Sequence, residues 1–595
     1  METKQKNSTR LLISWLLSYL KNYKRLAVSI VLLYLAVLAF ELALPRILGI
    51  IIDKIQSSTT NIDRYVLTGS IIYFGLTILK SISEFGRGIL NTKLNQLIIA
   101  NLRVDLFKKV AYMPFSFHDK TSSGELITRG CRDVEKIAAF YSQVMLVGGE
   151  AVLLLLGTAV MLVYLQPLLS IAALLSICPS IVAIVIFTGK LRPLWRKVDD
   201  TYDSVTNVVQ ENVSGVRVVK AFNAQNREEV KFEFRINNFV NELIKAVDYW
   251  TKFIMLPGTL FNVSIPVVFL AGCYLNSKGY LTVGSITTAI LYLTNISRRM
   301  RIIEHLIDVF QTSVASADRI YEILTREVDI KNSEKAGSFP SKPEICIKDL
   351  TFGYEKEKPV LKNLNISIPY GNNIALFGKT GVGKSTLIKL LSRFYAPDSG
   401  SIKVNGIDLE NIDLHELRRK INIVFQEAFL FNSTISENIS FGLPDASCET
   451  IKEAADAASA HDFIEELKDK YDTIIGERGI SLSGGQKQRI SLARAFIMKP
   501  PVLVLDDTTS AVDSITEKEI RDAINRISRG RTTIIISQRI TSVQNCDMIY
   551  VLDKQNGHAA GIVQMGKHED LISIPGVYQE VYFDQILDAA DKKEA

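Results

Sequence analysis

At 595 residues the chain is too long for a single hydrophobic core, and it combines 47% hydrophobic residues with 22% charged residues. These fractions fit one chain when they are unevenly distributed, which predicts a membrane half and a soluble half. The formal net charge of +6 is small for this length and favours neither nucleic acid nor an acidic partner.

The N-terminal segment begins with basic residues and continues through the apolar run Leu11 to Leu20. No small-residue cleavage site follows, as a signal peptide would require. We interpret the segment as a short amphipathic helix that lies on the cytoplasmic surface of the membrane.

Apolar runs about long enough to cross a bilayer, the first of them broken by Glu41 and Arg46, recur six times before residue 300. The uncharged stretch Ala151 to Gly189 is interrupted at Gln166-Pro167, which predicts a hairpin of two spans. An even number of spans keeps both termini on one side of the membrane. The other four predicted spans are Leu26 to Ile52, Tyr65 to Leu79, Phe253 to Ser277 and Leu281 to Ser297.

Lysine and arginine placement sets the orientation, because these residues resist translocation. The short loops near 57–64, 166–167 and 278–279 carry few of them, whereas the segments after the second and fourth spans carry many. We therefore expect a multi-pass protein of the cell membrane with both termini in the cytoplasm. The basic residues of those two segments include Arg103, Lys108, Lys109, Lys120, Arg129, Arg132, Lys190, Arg192, Arg196 and Lys197.

The second helix is predicted to extend well beyond the bilayer. It continues from Arg64 to Met113, and about 50 residues at 1.5 Å each reach roughly 75 Å, more than twice the hydrocarbon thickness. The chain must then turn in the cytosol near Phe117 to Glu125. A second cytoplasmic turn is predicted near Ala221 to Glu228.

Glu41 lies in an otherwise apolar run near Pro45. A carboxylate at membrane depth is costly unless it faces water or a partner. Two interpretations follow: Glu41 faces the transport cavity and attracts a cationic substrate, or it lies near the outer end and is solvated.

The six cysteines show no spacing typical of a metal site. There is no CxxC pair and no His-rich neighbourhood, so neither zinc nor a disulfide framework is favoured. We expect most of them to be buried thiols. They are Cys131, Cys178, Cys273, Cys346, Cys448 and Cys546.

The soluble half contains a phosphate-binding loop in its required context. A strand-like run, Asn373 to Phe377, leads into Gly378-Lys-Thr-Gly-Val-Gly-Lys-Ser-Thr386 and then into a helical pattern. Glycines let backbone N–H groups close around phosphates, and the helix N-terminus adds a positive dipole. We expect Lys384 to reach the β and γ phosphates and the Ser385 hydroxyl to bind Mg²⁺.

A buried strand that ends in a carboxylate follows downstream, at Val502 to Asp506. A parallel sheet delivers such an acid to the Mg²⁺ beside the loop.

Between these two motifs lies Leu482-Ser-Gly-Gly-Gln486, and the combination resembles the ATP-binding cassette (ABC) family. GEL at 124–126 and GVRVVKAF at 215–222 are similar to the six-helix exporter type, and Gly476-Glu-Arg-Gly479 to a segment found in exporters. The resemblance implies a membrane all-α six-helix domain followed by an α/β P-loop nucleotide-binding domain, with the two cytoplasmic turns acting as coupling helices. We place a transmembrane domain at 1–330, a linker at 331–343 and an ABC nucleotide-binding domain at 344–585.

The resemblance also implies the site residues and the cofactors, ATP and Mg²⁺. Tyr354 looks like the aromatic that stacks on adenine, Gln426 like the loop glutamine that senses Mg²⁺ and the membrane domain, and Asp513 like part of the D-loop. The expected Mg²⁺ ligands are Ser385, Gln426 and Asp506, and the expected catalytic residues are Asp507, Gln538 and Gln426. The expected nucleotide-binding residues are Tyr354, Gly378, Lys379, Thr380, Gly381, Gly383, Lys384, Ser385, Thr386, Ser483, Gly484, Gly485, Gln486 and Asp513.

Two departures from the family pattern concern catalysis. Asp507 stands where the family has Glu, and Gln538 stands where it has the switch His. The shorter carboxylate is withdrawn by about 1.5 Å, and misplacements near 1 Å cost roughly 100-fold in rate. Gln538 cannot carry a positive charge or relay a proton. The site on this chain's own P-loop is therefore expected to bind ATP and to hydrolyse it slowly.

The intact signature predicts the partner. In the family each nucleotide lies between one P-loop and the opposite signature, so Ser483, Gly484 and Gly485 complete the partner's site. We expect a heterodimer with a second half-transporter that has the normal Glu and His, as in bacterial multidrug exporters that carry small amphipathic substrates. The alternatives are an ATP-gated channel, a regulatory membrane subunit, and a lipid or peptide exporter.

Overall fold

The computed structural model describes residues 2–57, 62–253, 255–327, 337–355, 357–476, 482–507, 514–554 and 559–594. Asp513 and the rest of the predicted D-loop, residues 477–479 before the signature, and linker residues 331–336 lie outside the described residues. The chain divides into two units. The first comprises Met1–Tyr112 and Ser122–Arg326, and the second comprises Met113–Thr121 and Glu327–Ala595.

The first unit is helical. Of the first twelve helices of the chain, it contains all but α4, which belongs to the second unit. Two π-helical segments, Arg129–Asp133 and Phe140–Gly148, connect α5 to α6 and α6 to α7. The helices are α1 (Glu2–Leu20), α2 (Lys24–Ser57), α3 (Ile62–Ala111), α4 (Phe115–Lys120), α5 (Ser123–Thr128), α6 (Val134–Ala139), α7 (Gly149–Leu165), α8 (Pro167–Ser214), α9 (Val216–Ala221), α10 (Gln225–Phe253), α11 (Met255–Ser277) and α12 (Val283–Thr325).

In the described residues the predicted spans lie on these helices, except that Leu281 and Thr282 precede α12. Four helical stretches in the described residues are long and apolar enough to cross a membrane: Arg10–Ser57, Ile62–Ala111, Ser123–Leu165 and Gln225–Ser277. The two other predicted spans correspond to shorter apolar stretches, Pro167–Ser180 and Val283–Ser297, at the starts of α8 and α12. The hairpin is also present, because α7 ends immediately before Gln166 and α8 begins with Pro167 at its first position.

The long second helix is present as α3, which covers 50 residues. The chain also turns at both predicted positions. α4 and α5 lie in the first turn, and the second separates α9 from α10. Helix α1 confirms the expected N-terminal helix.

The expectation that Glu41 is solvated near the outer end is wrong. Its side chain is buried, and Lys80 on α3 donates a hydrogen bond to Glu41 Oε1 at 3.1 Å. A second ion pair joins Arg87 of the same helix to the buried Glu150 at 2.9 Å. Buried charges in a helical membrane domain are stabilised by such pairing. Lys80 offsets the charge of Glu41 in this structure, and attraction of a cationic substrate by Glu41 stays a prediction.

The expectation of mostly buried thiols is also wrong. Cys546 is buried and Cys346 is partly buried, whereas the other four are exposed on the chain, and all six are free. Cysteine behaves as a small apolar residue, which suits the exposed positions of Cys178 on α8 and Cys273 on α11, within the predicted spans.

The second unit is built on one ten-stranded sheet in the order β5-β4-β1-β2-β10-β9-β3-β8-β7-β6. Strands β9, β3, β8, β7 and β6 are parallel, and β1, β2, β4 and β5 form an antiparallel edge. The strands are β1 (Ile345–Phe352), β2 (Leu361–Ile368), β3 (Asn373–Phe377), β4 (Ser399–Val404), β5 (Ile407–Asp408), β6 (Ile421–Val424), β7 (Val502–Asp506), β8 (Thr532–Ser537), β9 (Met548–Lys554) and β10 (Ala560–Gly566).

Helices cover this sheet on both faces. Strand β7 shows why, since Val502 and Val504 join one buried apolar cluster while Leu503 and Leu505 join another. Alternate side chains of a strand point to opposite faces, so the four successive apolar residues Val502 to Leu505 require cover on both faces. The helices are α13 (Lys384–Leu391), α14 (Leu414–Lys420), α15 (Ile435–Ile439), α16 (Cys448–Ala457), α17 (His461–Glu465), α18 (Gly484–Phe496), α19 (Ser514–Ser528), α20 (Ile540–Val543), α21 (His568–Ser573) and α22 (Val577–Glu594).

Candidate active site

Three neighbouring parallel strands deliver the predicted site residues to one edge of the sheet. Strand β8 lies between β3 and β7, with Phe377 paired to Ser537 and Asp506 paired to Ile536. The P-loop follows β3, Gln538 follows β8, and Asp507 follows β7. Ligands of open parallel sheets bind at the carboxyl ends of strands, and these three ends are adjacent here.

The P-loop has the backbone geometry that a phosphate cradle needs. Gly381 and Gly383 adopt left-handed conformations with φ of 81° and 93°. A Cβ at Gly383 would lie 2.7 Å from the Leu361 side chain, and one at Gly378 would collide with the backbone oxygen of Leu552. Side chains are therefore excluded where the loop closes, and Gly383 directly precedes the N-terminus of α13.

The Lys384 side chain lies against the backbone of the P-loop. Its Nζ donates hydrogen bonds to the backbone oxygens of Gly378 at 2.6 Å and Lys379 at 2.8 Å. Burial lowers the pKa of Lys384, and the charges of Asp507 and Asp506 oppose that effect. A phosphate group would supply the negative charge that this buried ammonium otherwise draws from backbone oxygens and the two carboxylates.

Two of the three expected Mg²⁺ ligands lie together. Asp506 is buried at the end of β7, and burial raises its pKa, while a hydrogen bond from Ser385 opposes the increase. A carboxylate beside a hydroxyl suits the oxygen preference of Mg²⁺. The third, Gln426, is exposed, and its backbone oxygen accepts a hydrogen bond from the buried Gln488 at 3.5 Å.

Asp507 occupies a constrained and partly buried position. Its φ of 42° is left-handed, a conformation that Asp tolerates better than most residues, and its N–H donates to Ile536 O at 2.9 Å. The Ser537 hydroxyl donates to Asp507 Oδ1 at 3.4 Å. Burial raises the pKa of Asp507, and the charges of Arg539 and Lys384 oppose the increase.

Arg539 links this region to the helix that follows β7. Its guanidinium donates to Glu517 of α19 at 2.7 Å.

Gln538 contacts the P-loop directly. Thr380 donates a hydrogen bond from its hydroxyl to Gln538 Oε1 at 2.9 Å. Gln538 itself is exposed at the mouth of the loop. The two departures from the family pattern, Asp507 and Gln538, therefore lie around the same loop.

Tyr354 belongs to a cluster of aromatic and charged side chains beside α4. The residue is 42% exposed, its hydroxyl shares a hydrogen bond with Thr386 at 3.2 Å, and its ring packs edge-to-face on Tyr395. Lys389 Nζ lies 5.4 Å from the Tyr354 ring centroid and pairs with Asp119 of α4 at 3.2 Å. The Tyr395 hydroxyl donates to the same carboxylate at 2.6 Å. Lys389 and Tyr395 thus contact both Tyr354, the predicted adenine-stacking residue, and Asp119 of α4.

The signature residues form the start of α18. The Ser483 side chain accepts a hydrogen bond from Gln486 N at 3.3 Å, and the Gln486 side chain accepts one from Ser483 N at 3.0 Å. This capping box stabilises a helix N-terminus, which is a ready anion-binding element. Ser483 and Gly484 are exposed, and Gly485 is buried.

Comparisons with known proteins identify the family. Residues 26–300 match the model described as the ABC transporter transmembrane region, and residues 361–510 match the model described as ABC transporter. A putative multidrug export ATP-binding/permease protein of Bacillus subtilis strain 168, YgaD, is 30% identical over 95% of this chain and 98% of its own length. The chain belongs to the ABC transporter family. This ABC transporter is also 33% identical to an ATP-dependent lipid A-core flippase of Syntrophus aciditrophicus strain SB, over 85% of this chain and 83% of the flippase.

A solved structure extends the similarity to the whole architecture. A bacterial Atm1-family ABC exporter with ATP bound superposes with a TM-score of 0.82 at 26% identity, covering 94% of this chain and 98% of that one. The predicted fold class is confirmed: a helical transmembrane domain is followed by a mixed α/β nucleotide-binding domain. The ABC transporter is therefore an exporter half-transporter with an ATP-hydrolysing domain.

Several contacts around the ABC transporter's site could not be expected from the motifs alone. The Ser537 hydroxyl, the Arg539–Glu517 ion pair and the Asp119–Lys389 pair bring together residues distant in the chain. Ser537 could have been found, since it ends the strand next to Asp506. The others carry no motif, because charged residues of these types are common on solvated surfaces.

Proposed function

We propose that this chain is one half of a heterodimeric ABC exporter whose own ATP site is degenerate and whose signature completes the partner's competent site. The observation that carries the proposal is the convergence of Asp507 and Gln538 on one P-loop whose other elements are intact. The glycines of the P-loop, Lys384, Ser385 and Asp506 retain the groups that bind ATP and Mg²⁺. The site therefore binds ATP but hydrolyses it slowly.

The proposed cycle follows from that asymmetry. ATP binding closes the two cassettes, each nucleotide linking a P-loop to the opposite signature, and moves the coupling segments so that the cavity opens outward. Hydrolysis occurs mainly on the partner's P-loop against Ser483, Gly484 and Gly485 of this chain. ATP held beside Asp507 keeps the cassettes in contact between cycles.

The proposed orientation places the nucleotide-binding domain and both termini in the cytoplasm, as the distribution of lysine and arginine favours. The proposed substrates are small amphipathic molecules, and the Bacillus subtilis relative, named as a putative multidrug export protein, supports this class. A lipid is the second candidate, and the relative named as a lipid A-core flippase favours it.

The test is to purify the tagged full-length chain from the membranes of its host and to trap nucleotide with vanadate. The proposal expects an equimolar second half-transporter with Glu after its Walker B Asp and a switch His. It also expects trapped ADP on the partner's P-loop and intact ATP on this one. A self-paired chain, or equal trapping at the two sites, contradicts the proposal.

A further inference from the structure

Helix α22, near the C-terminus, packs behind the nucleotide site. Tyr578 in its first turn is buried and lies edge-to-face on Phe377, with ring centroids 4.9 Å apart. Phe377 is the last residue of β3 before the P-loop. His568 Nδ1 and the Tyr578 hydroxyl are 2.7 Å apart, so the aromatic ring is held from its polar end as well. The start of α22 is therefore anchored beneath the phosphate loop.

Gln585, two turns further along α22, reaches the switch loop. Residues seven apart lie on nearly the same face of a helix, so Gln585 follows Tyr578 toward the site. Its Nε2 donates to Gln538 O at 2.8 Å, and its Oε1 accepts from Ile540 N at 3.0 Å. One side-chain amide thus holds the backbone on both sides of Arg539.

The pairing requires the particular chemistry of an amide. One end must donate to a carbonyl and the other must accept from an N–H, and a neutral side-chain amide offers both. A carboxylate would accept from Ile540 N but would face the carbonyl of Gln538 without a proton to donate. A protonated carboxylic acid, in contrast, again has one donor and one acceptor.

We propose that Gln585 is a positioning residue for nucleotide recognition: it holds the switch loop so that the Gln538 side chain stays beside Thr380 of the P-loop. Gln538 is the switch-position side chain, expected to face the terminal phosphate, and it remains within 2.9 Å of the Thr380 hydroxyl. Gln585 therefore controls discrimination between ATP and ADP. This role concerns binding and holds whether or not the site hydrolyses ATP slowly.

The experiment measures the ratio of ATP to ADP affinity. The full-length chain in lipid nanodiscs is loaded with N-methylanthraniloyl-ADP, which is displaced by ATP or ADP with Mg²⁺. Gln585→Met is expected to weaken ATP binding about tenfold, equivalent to one net hydrogen bond, and to leave ADP binding unchanged. A merely structural role would change both affinities together.

Gln585→Glu supplies a second, independent readout. Its affinity ratio, normalised to the wild type at each pH, is expected to fall at neutral pH and to recover as pH falls and the carboxyl group gains its proton. Gln585→Met is expected to show no such recovery.

The matched control is Gln579→Met on the same helix, since Gln579 Nε2 donates to Ile572 O at 2.7 Å away from the switch loop. Three outcomes would each overturn the proposal. The ratio of ATP to ADP affinity could be that of the wild type in Gln585→Met, it could fall equally in Gln579→Met, or it could be independent of pH in Gln585→Glu. None of these outcomes depends on the hydrolysis rate, so failure here and failure of the degenerate-site proposal are distinguishable.

Discussion

Restoring both altered side chains is expected to restore hydrolysis on this chain's own P-loop. Asp507→Glu extends the carboxylate by about 1.5 Å, and a reacting group displaced by about 1 Å costs roughly 100-fold. Gln538→His returns a side chain that can carry charge and relay a proton, worth a further ~100-fold when it acts as a general acid or base. The self-paired double variant is expected to hydrolyse ATP at least about 100-fold faster than the wild type.

The assay is phosphate release by the full-length chain in lipid nanodiscs at saturating Mg²⁺ and ATP. Lys384→Met in the restored background is expected to abolish turnover, which assigns the activity to this P-loop. Asp547→Glu is a matched control, because it lengthens a carboxylate that accepts from Asn373 N at 2.8 Å at the opposite end of β3. An increase below about tenfold in the double variant would refute the assignment of slow hydrolysis to Asp507 and Gln538.

A mixed pair extends this test to the signature. One wild-type chain is combined with one restored chain, so the competent site contains the restored Walker motifs and the wild-type signature. Ser483→Arg in the wild-type chain is expected to remove activity, and the same change in the restored chain to leave most of it. The reverse pattern would contradict the proposed use of Ser483.

Three further predictions concern residues outside the chemistry. Asp119→Asn removes the charge that pairs with Lys389 and so weakens the attachment of α4. Faster tryptic cleavage after Lys120 is expected, and an unchanged cleavage rate would count against a role of the Asp119–Lys389 pair in holding α4. Lys80→Met leaves Glu41 without this cation and is expected to lower the Tm, and adding Glu41→Gln should recover most of the loss, because removing both charges costs less than removing one. Burial raises the pKa of the Cys546 thiol to about 12, so above about pH 9 the unfolded chain ionises and the folded chain does not. Stability therefore falls as pH rises through that window, and Cys546→Ala is expected to flatten the fall in Tm between about pH 8 and about pH 10.

Much of the fold could be predicted from the sequence because local patterns specify it. Apolar runs with few charges gave the spans, Gln166-Pro167 gave the hairpin, and the length of the second helix followed from a run without strong breakers. The state of Glu41 could not be predicted, because its partner Lys80 lies on another helix and no pattern in either segment announces the pair.

The site divides in the same way. The P-loop and Asp506 could be located because glycines at fixed spacing and a strand ending in a carboxylate have a direct physical meaning. Gln585 could not be located, because its role depends on where α22 packs, and glutamine is common on the surfaces of helices. The capping box of Ser483 follows from the Ser-x-x-Gln spacing, which specifies a helix N-terminus directly.

The measurement that tests the account most directly is ATP turnover by the purified wild-type chain paired with itself in lipid nanodiscs, with bound nucleotide identified after rapid filtration. The account predicts very slow phosphate release and intact ATP retained on the P-loop. Rapid turnover that Asp507→Ala abolishes would contradict it.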